Sequence, residues 1–572
     1  MSIKEAIKNA IQNAIESRGW PESDFVVDYP TDKNAAADYF SNVAMVYAKK
    51  VEGSPRDIAQ GIVTSLADTI DEVEHIEVAG PGFINFTLKR SYFKGILETA
   101  LKSGEQWGRN ETWAGKKVIV EYTDPNPFKE FHIGHLFTNA VGESIARLFM
   151  FNGADTKRVN YQGDVGMHVA CAVWGLIQQY GDDQTNSRSA DGYFYAPSQL
   201  GMAYQYGAAE YKAGSESVVQ EIKRINKAVY DRTDPQINEI YDNGRKSSLA
   251  YFEEIYQKVD TQFDEYFFES EAGPKGKELV LSNPDVFPKS NNARVFMGEE
   301  HGLHTRVFLN AEGLPTYEAK ELALAKMKED RLGSYDLSVI STSNEITEYF
   351  KVLRKAMSFV YPELAAKTEH IGHGTVRLTT GKMSSRTGDV ITAVGFINDV
   401  AESARKRIIE NGNDASDELA SDIAVAAIKY ATLKGNVLQD TVFDKEKALS
   451  FEGDSGPYLQ YTHARIHSVL EKAEQVGVVA STVESPEAVY SVERLLERFP
   501  SVIENALLER APHQVTGYLT ELAGEFNSFY AAERIADTSD EFAPYKAAVS
   551  AAVALTLRQG LWVLGIQAPE RM

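Results

Sequence analysis

Residues 117–162 read KVIVEYTDPNPFKEFHIGHLFTNAVGESIARLFMFNGADTKRVNYQ, and their pattern decides the fold. Val118-Ile119-Val120-Glu121-Tyr122 is a short β-rich run. A polar loop holding Pro125 and Pro127 follows. Then come apolar residues at helical spacing, Leu136, Ala140, Val141, Ile145 and Leu148, stopping near Gly153. Arg158–Gln162 is a second strand-like run. Strand, loop, helix, strand is the grammar of a parallel sheet with helices on its faces.

Outward from this stretch the organisation changes twice. Residues from about Gly181 to Pro288 are polar and mostly helical, and read as an insertion. Sheet grammar resumes at Thr305–Leu309, the helix Tyr317–Glu329, the strand Leu337–Ser341 and the helix Glu345–Phe359. Beyond Ile391 nearly every segment reads as helix: Ala393–Asn411, Asp417–Leu433, Pro457–Gln475, Ala488–Arg498, Pro512–Glu533 and Tyr545–Leu564. On the other side, Ile3, Ile7, Ile11 and Ile15 mark an amphipathic first helix. Further helices are expected over Ala37–Lys50 and from Pro55 to about Ile70, then strands His75–Ala79 and Ile84–Leu88 around the Gly80-Pro81-Gly82 turn. The expected architecture is therefore multidomain α/β. It has a small α+β domain at 1–108, a Rossmann-type parallel-sheet domain at 109–390 with a helical insertion at about 181–288, and an all-α domain at 391–572.

A chain of 572 residues is too long for one hydrophobic core. Its 43% hydrophobic and 25% charged residues are those of an ordinary globular protein. No apolar run has the length of a membrane span, and no signal-peptide pattern opens the chain. The single cysteine, Cys171, excludes a disulfide framework and a thiolate zinc site, so no metal site is expected and the cytoplasm is the expected compartment. A net charge of −23 counts against non-specific nucleic-acid binding, which needs a basic face, and leaves room only for a local basic stripe.

Two segments carry chemistry. His132-Ile133-Gly134-His135 sits where a strand–loop passes into a helix, a position whose backbone N–H groups and dipole favour a triphosphate. Gly134 leaves room for an adenine ring, and the imidazoles can donate to phosphate as charge builds. Lys382-Met383-Ser384-Ser385-Arg386-Thr387-Gly388 is a polar loop suited to clamping pyrophosphate. Each alone has a bland reading, as locally satisfied histidines or a basic surface loop.

In this order and this sheet context the two resemble the HIGH and KMSKS signatures of class I aminoacyl-tRNA synthetases. Neighbouring residues narrow the resemblance to the arginyl-tRNA synthetase family. They are the extended first motif Asp124–His132, the helix segment Leu314–Leu322 and the run Phe451–Arg465. Gly80–Asn85 and the last residues, Pro569–Met572, are similar to that family too. The likeness spans essentially the whole chain.

The resemblance implies ATP-dependent activation of L-arginine, with Mg²⁺ on the phosphates, followed by transfer to tRNA(Arg). It implies that His132, His135 and Lys382, with Lys129 beside the first motif, are catalytic. Gly134, Met383, Ser384 and Ser385 would join them around ATP. Arginine would meet Asn126, Tyr317, Glu321, Asn160, Asp164 and Asn344. The four-residue spacing of Tyr317 and Glu321 puts both on one helix face, and a carboxylate is what a guanidinium requires. tRNA contacts are implied at Tyr39, Asn42, Tyr458, Gln460, Tyr461, Arg465 and Met572. The chain departs from the family in keeping both Lys129 and Lys382, and in having Glu321 where aspartate is usual. No membrane partner is expected, and the chain is taken to act as a monomer. The competing readings are a non-catalytic tRNA-binding relative and a small-molecule nucleotidyltransferase.

Overall fold

The computed structural model describes residues 2–30, 37–67, 69–181, 194–379, 391–410 and 416–572. It divides into two compact units, one of Met1–Trp107, Ile466–Phe499 and Gly524–Thr556, the other of Gly108–Arg465, Pro500–Ala523 and Leu557–Met572. No helix among the described residues is long and apolar enough to cross a membrane.

The first unit begins with the helix Ile3–Glu16, opened by a reciprocal cap between Ser2 and Glu5. Its four periodic isoleucines are all buried. Four antiparallel strands lie beside it in the order Val27–Asp28, Tyr39–Ser41, Phe83–Leu88, Val73–Ala79. The helix expected over Ala37–Lys50 is instead a strand and a short helix, Val43–Tyr47. Pairing wins over local propensity here. The Asp38 N–H donates to the Phe86 carbonyl at 2.9 Å, and its carboxylate accepts from the Leu88 N–H at 2.7 Å. That fixes Tyr39 and Phe40 against Phe86 and Asn85.

The second unit is built on a five-stranded parallel sheet in the order Thr368–His373, Leu337–Ser343, Lys117–Glu121, Asp155–Gln162, Glu265–Phe268. The chain enters at the middle strand, adds two strands on one side and then two on the other. The order therefore reverses between Lys117–Glu121 and Leu337–Ser343, where parallel α/β sheets open a crevice for ligands.

Four differences from the sequence reading concern strands. Glu265–Phe268, read within the helical insertion, is an edge strand paired with Asp155–Gln162; four residues are too few to show a period. Thr305–Leu309 yields the strand Arg306–Leu309, which joins a separate antiparallel sheet with Ala293–Phe296. Thr368–His373 forms the far edge of the parallel sheet, and Val376–Leu378 pairs with Thr441–Phe443 inside a region read as wholly helical. The other described residues of the insertion are mostly helical, in Pro197–Ala213, Glu216–Asp231, Pro235–Lys258 and Glu269–Ser282. The C-terminal helices lie close to their expected bounds except the one read at Ala488–Arg498, which is Ser491–Leu508 and runs through Pro500.

Candidate active site

The loop after Lys117–Glu121 is strained and held. Thr123, Asp124 and Phe128 have φ of 81°, 46° and 67°, a region that residues with a Cβ rarely adopt. Asp124 is anchored where its Oδ1 accepts from the Tyr161 N–H at 2.8 Å, and Phe128 where its N–H donates to Ser248 Oγ at 2.9 Å. The loop delivers His132 as the cap of the helix Ile133–Phe151. The His132 N–H donates to His135 Nδ1 at 3.3 Å, and the two rings stack with centroids 3.7 Å apart. A Cβ on Gly134 would lie 2.9 Å from His132 Cε1, so glycine is needed there simply to seat that ring. Burial, reinforced by the charge of Lys129, pushes the His132 imidazole down to about 4, and burial pushes His135 well below its ordinary value. Both rings are neutral at pH 7.

These histidines line a cavity of about 480 Å³ with Thr123, Asp124, Thr138, Thr342, Ser343, Glu345 and His373. His373 Nε2 lies 3.0 Å from Thr138 Oγ1 and its Nδ1 lies 2.7 Å from the Gly374 carbonyl. Ile391 lines the cavity as well, and its carbonyl accepts from the Ile133 N–H at 3.2 Å. Lys382, Met383, Ser384 and Ser385 lie outside the described residues.

A second cavity, about 280 Å³, shares Asp124, Thr342 and Ile346 with the first. Four acids line it: Glu121, Asp124, Glu269 and Glu321. Two are neutralised in place, Glu121 by Lys328 and Glu269 by Lys320, each at 2.6 Å. Among the described residues no basic group pairs with Asp124 or Glu321. Burial and the nearby Glu121 push both carboxyls well above their ordinary range. The hydroxyls of Tyr161 and Tyr349, also in the lining, are buried without a hydrogen-bond partner. Gly163 makes room for Asn126, whose Oδ1 a Cβ there would approach to 2.3 Å. The cavity thus gathers four acids, two of them paired to lysines, and two tyrosine hydroxyls without hydrogen-bond partners.

Of the residues singled out for arginine, Asn126, Tyr317 and Glu321 come together in this second cavity, with Tyr317 at its rim and 60% exposed. Asn160, Asp164 and Asn344 do not line it. Asn160 is buried under the loop, donating to the Tyr122 carbonyl at 2.9 Å. Asp164 is consumed by Arg245 at 2.9 Å, the Tyr241 hydroxyl, and the N–H and Oγ of Ser270. Asn344 sits on an exposed turn. Lys129 lines neither cavity; its ammonium lies 4.7 Å from the centre of the Tyr204 ring. Glu121, Tyr161, Glu269, Thr342 and His373 were missed, yet each stands at or next to the carboxyl end of one of the five parallel strands. That is where such sheets bind ligands.

Elsewhere, Tyr461, Arg465 and Met572 line a cavity of about 360 Å³ with Phe451, the Arg465 guanidinium lying 4.7 Å from the Tyr461 ring centre. Tyr458 is half-buried on the same helix, Gly456–Gln475. Gln460 is buried and donates to the Gln567 carbonyl at 2.9 Å. Tyr39 is buried too, its hydroxyl donating to Glu497 at 2.9 Å, and the Asn42 side chain accepts from the Val26 N–H at 2.8 Å.

Comparison with known proteins finds likeness along nearly the whole chain. Residues 1–88 match the arginyl tRNA synthetase N-terminal domain, residues 96–445 the class I (R) tRNA synthetase catalytic domain, and residues 459–572 the DALR anticodon binding domain. The arginine–tRNA ligase of Treponema denticola is 30% identical over 85% of this chain and 84% of its own. That of Clostridium acetobutylicum is 29% identical over 96% of each. The arginyl-tRNA synthetases of Thermus thermophilus and Plasmodium falciparum share the fold across the full length of both chains, with TM-scores of 0.79 and 0.81 at 24% and 20% identity. With a catalytic-domain match spanning well over half its residues and both flanking domains in family order, the chain belongs to the class I arginyl-tRNA synthetases.

Proposed function

We propose that the histidine cavity takes ATP and the acidic cavity takes arginine, so that the enzyme activates L-arginine and transfers it to tRNA(Arg). The observation that carries the assignment is the lining of the second cavity, where the Asp124 and Glu321 carboxyl groups stand with no ion-pair partner among the described residues, beside the residues of the first. The arginine carboxylate attacks the ATP α-phosphorus, forming the mixed anhydride as the bond to pyrophosphate breaks. His132 and His135, neutral before ATP arrives, donate hydrogen bonds to the phosphate oxygens as their charge grows. Lys382, with Met383, Ser384 and Ser385, is our candidate for holding pyrophosphate, and Lys129 adds positive charge behind the histidines. The terminal ribose hydroxyl of the tRNA then attacks the arginyl carbonyl and AMP leaves.

Mg²⁺ belongs to the substrate as MgATP. It keeps several waters and takes one or two carboxylates with the phosphates. Glu345, the acid of the larger cavity that lies clear of the arginine pocket, fits such a role. Tyr317 would close over the guanidinium facing Glu321, and Asn126 would hold the α-amino end. Asn160, Asp164 and Asn344 would act indirectly, the first two by fixing the loop that seats Asn126.

We further propose that residues 1–108 meet the tRNA elbow, 109–390 carry catalysis, and 391–572 read the anticodon. Tyr461, Arg465 and Met572 are the candidate anticodon contacts. Tyr458 and Gln460 shape the same helix, and Tyr39 and Asn42 shape the elbow surface. Both proposed substrate cavities are lined by residues of a single chain, in keeping with a monomer. Cytoplasmic localisation is proposed from the single cysteine, Cys171, which leaves no second thiol for a disulfide. ATP–pyrophosphate exchange with arginine, with and without tRNA(Arg), tests the reading. Exchange specific to arginine is expected, and none under either condition would refute it.

A further inference from the structure

Asp124, Thr342 and Ile346 line both cavities, and of these Thr342 alone brings a hydroxyl. It stands at the carboxyl end of the strand Leu337–Ser343. The neighbouring strand, Thr368–His373, runs parallel to it with His370 opposite Ile340. Residues two apart share a face of a strand, so His370 and Thr342 lie on one face of the sheet. Their side chains meet there, His370 Nε2 lying 2.8 Å from Thr342 Oγ1. The imidazole is seated on the ring of Phe350, which lines the second cavity, with centroids 3.9 Å apart and planes 12° from parallel. Burial, with the charge of Arg354 beside it, pushes the His370 imidazole down to about 4. At pH 7 the ring is neutral and carries a single N–H.

We infer that His370 donates from Nε2 to Thr342 and so leaves the Thr342 hydroxyl proton for the α-phosphate of ATP, an inference that rests on the two cavities taking ATP and arginine. Two anions meet at their junction, the arginine carboxylate and the α-phosphate. Were Nε2 the acceptor, the Thr342 proton would be used on the ring, and only lone pairs would face those anions. The hydroxyl has another acceptor within reach, the Ser343 carbonyl at 3.3 Å. That is long for an O–H···O bond, so a phosphate oxygen readily replaces it. As the carboxylate bonds to phosphorus it gives up charge, whereas the α-phosphoryl oxygens hold theirs while the bond to pyrophosphate breaks. A donor fixed beforehand on those oxygens acts on the transition state more than on binding. Thr342 is thus a catalytic residue, and His370, which touches no substrate, a positioning residue.

The test follows adenylate formation in the pre-steady state, and the affinities for arginine and ATP, with tRNA(Arg) present. Thr342→Val should slow adenylate formation by about 10- to 100-fold while both affinities stay within about twofold of wild type. Thr342→Ser should recover most of the rate. His370→Phe keeps the stack on Phe350 and removes the donor. It should lose as much as Thr342→Val, and the double variant should lose no more than either. His370→Gln, whose amide nitrogen can reach the place of Nε2, should regain much of the rate. A near-normal rate in Thr342→Val, or losses that multiply in the double variant, would overturn the inference. Should Thr342→Val fold poorly, the contrast at position 370 decides alone, because equal rates with Phe and Gln refute a donor there. Wild type without arginine-dependent ATP–pyrophosphate exchange would instead refute the assignment of the cavities, a separate result.

Discussion

The buried ammonium of Lys429 donates to the carbonyl of Gly565 at 2.7 Å, and also to that of Val259 at 2.5 Å. It ties the turn after the last helix to the loop ahead of the edge strand Glu265–Phe268. Gly565 has φ of 67°, and a Cβ there would approach Nζ to 2.6 Å, so a side chain at this position would strain the backbone and crowd the ammonium. Burial, helped by Arg147, pushes the ammonium down to about 7. The unfolded chain therefore binds the extra proton between about pH 7 and 10.5, and over that window this group makes stability rise with pH. Lys429→Met strands two carbonyls, which costs about 1–3 kcal/mol each. Thermal unfolding should show a larger gap between wild type and variant at pH 9 than at pH 6.5. A gap that shrinks with pH would contradict the buried-charge account.

His135 stacks on His132 at the helix cap and is held neutral by burial. Its contribution should appear only as phosphate charge develops. His135→Asn is expected to lower the rate of arginine activation by about 10²–10³, with arginine affinity nearly unchanged. Pre-steady-state adenylate formation measures this directly, and a near-normal rate would remove His135 from the reaction.

Arginine binding should release protons. Asp124 and Glu321 line the cavity proposed for arginine with carboxyls raised above the usual range, and a cation bound there would require their anions. Below the raised values, binding must drive protons off. Affinity for arginine should then climb with pH, by up to about tenfold per unit for each proton released, and level off once both acids are ionised in the free enzyme. For stability the sign is opposite: protons held by these acids favour the folded state, and that contribution is lost as pH rises through the raised values. Calorimetry between pH 5.5 and 8, in buffers of differing ionisation enthalpy, reads the proton count. A Kd constant over that range would show the acids already ionised.

The histidine side of the site was legible because its residues are contiguous and stand at a strand–helix junction, which periodicity reveals. The helix carrying Tyr317 and Glu321 was legible from its period, but a role for the two side chains came only from the family resemblance. The remaining acids were not. Glu121 and Asp124 lay inside the quoted stretch, but whether they serve the pocket depends on Lys328, more than two hundred residues later. Glu269 follows an edge strand of four residues, too short to separate from helical surroundings. Asp164 shows the opposite error. A carboxylate in a motif loop looks available until Arg245 and Ser270, far along the chain, are seen to occupy both of its oxygens. Tyr39 is a similar case, because its partner Glu497 is remote in sequence.

Tyr461 is where recognition and packing compete most closely. Its ring packs edge-on against Phe451, with centroids 6.1 Å apart, and lies beneath the Arg465 guanidinium, on a cavity that also includes Met572. An unpaired base stacked there would lose about 1–3 kcal/mol on truncation of the ring, a rise of roughly 5- to 150-fold in the KM for tRNA(Arg). Tyr461→Ala should show that rise while kcat at saturating tRNA stays near wild type, because the chemical step lies in other cavities. Tyr461→Phe keeps the stacking surface and should recover most of the affinity. Thermal unfolding must be followed alongside, since the half-buried ring also packs within the protein. If stability and kcat fall together while the KM for tRNA is unmoved, Tyr461 is a packing residue and the anticodon contact lies elsewhere on the helix Gly456–Gln475.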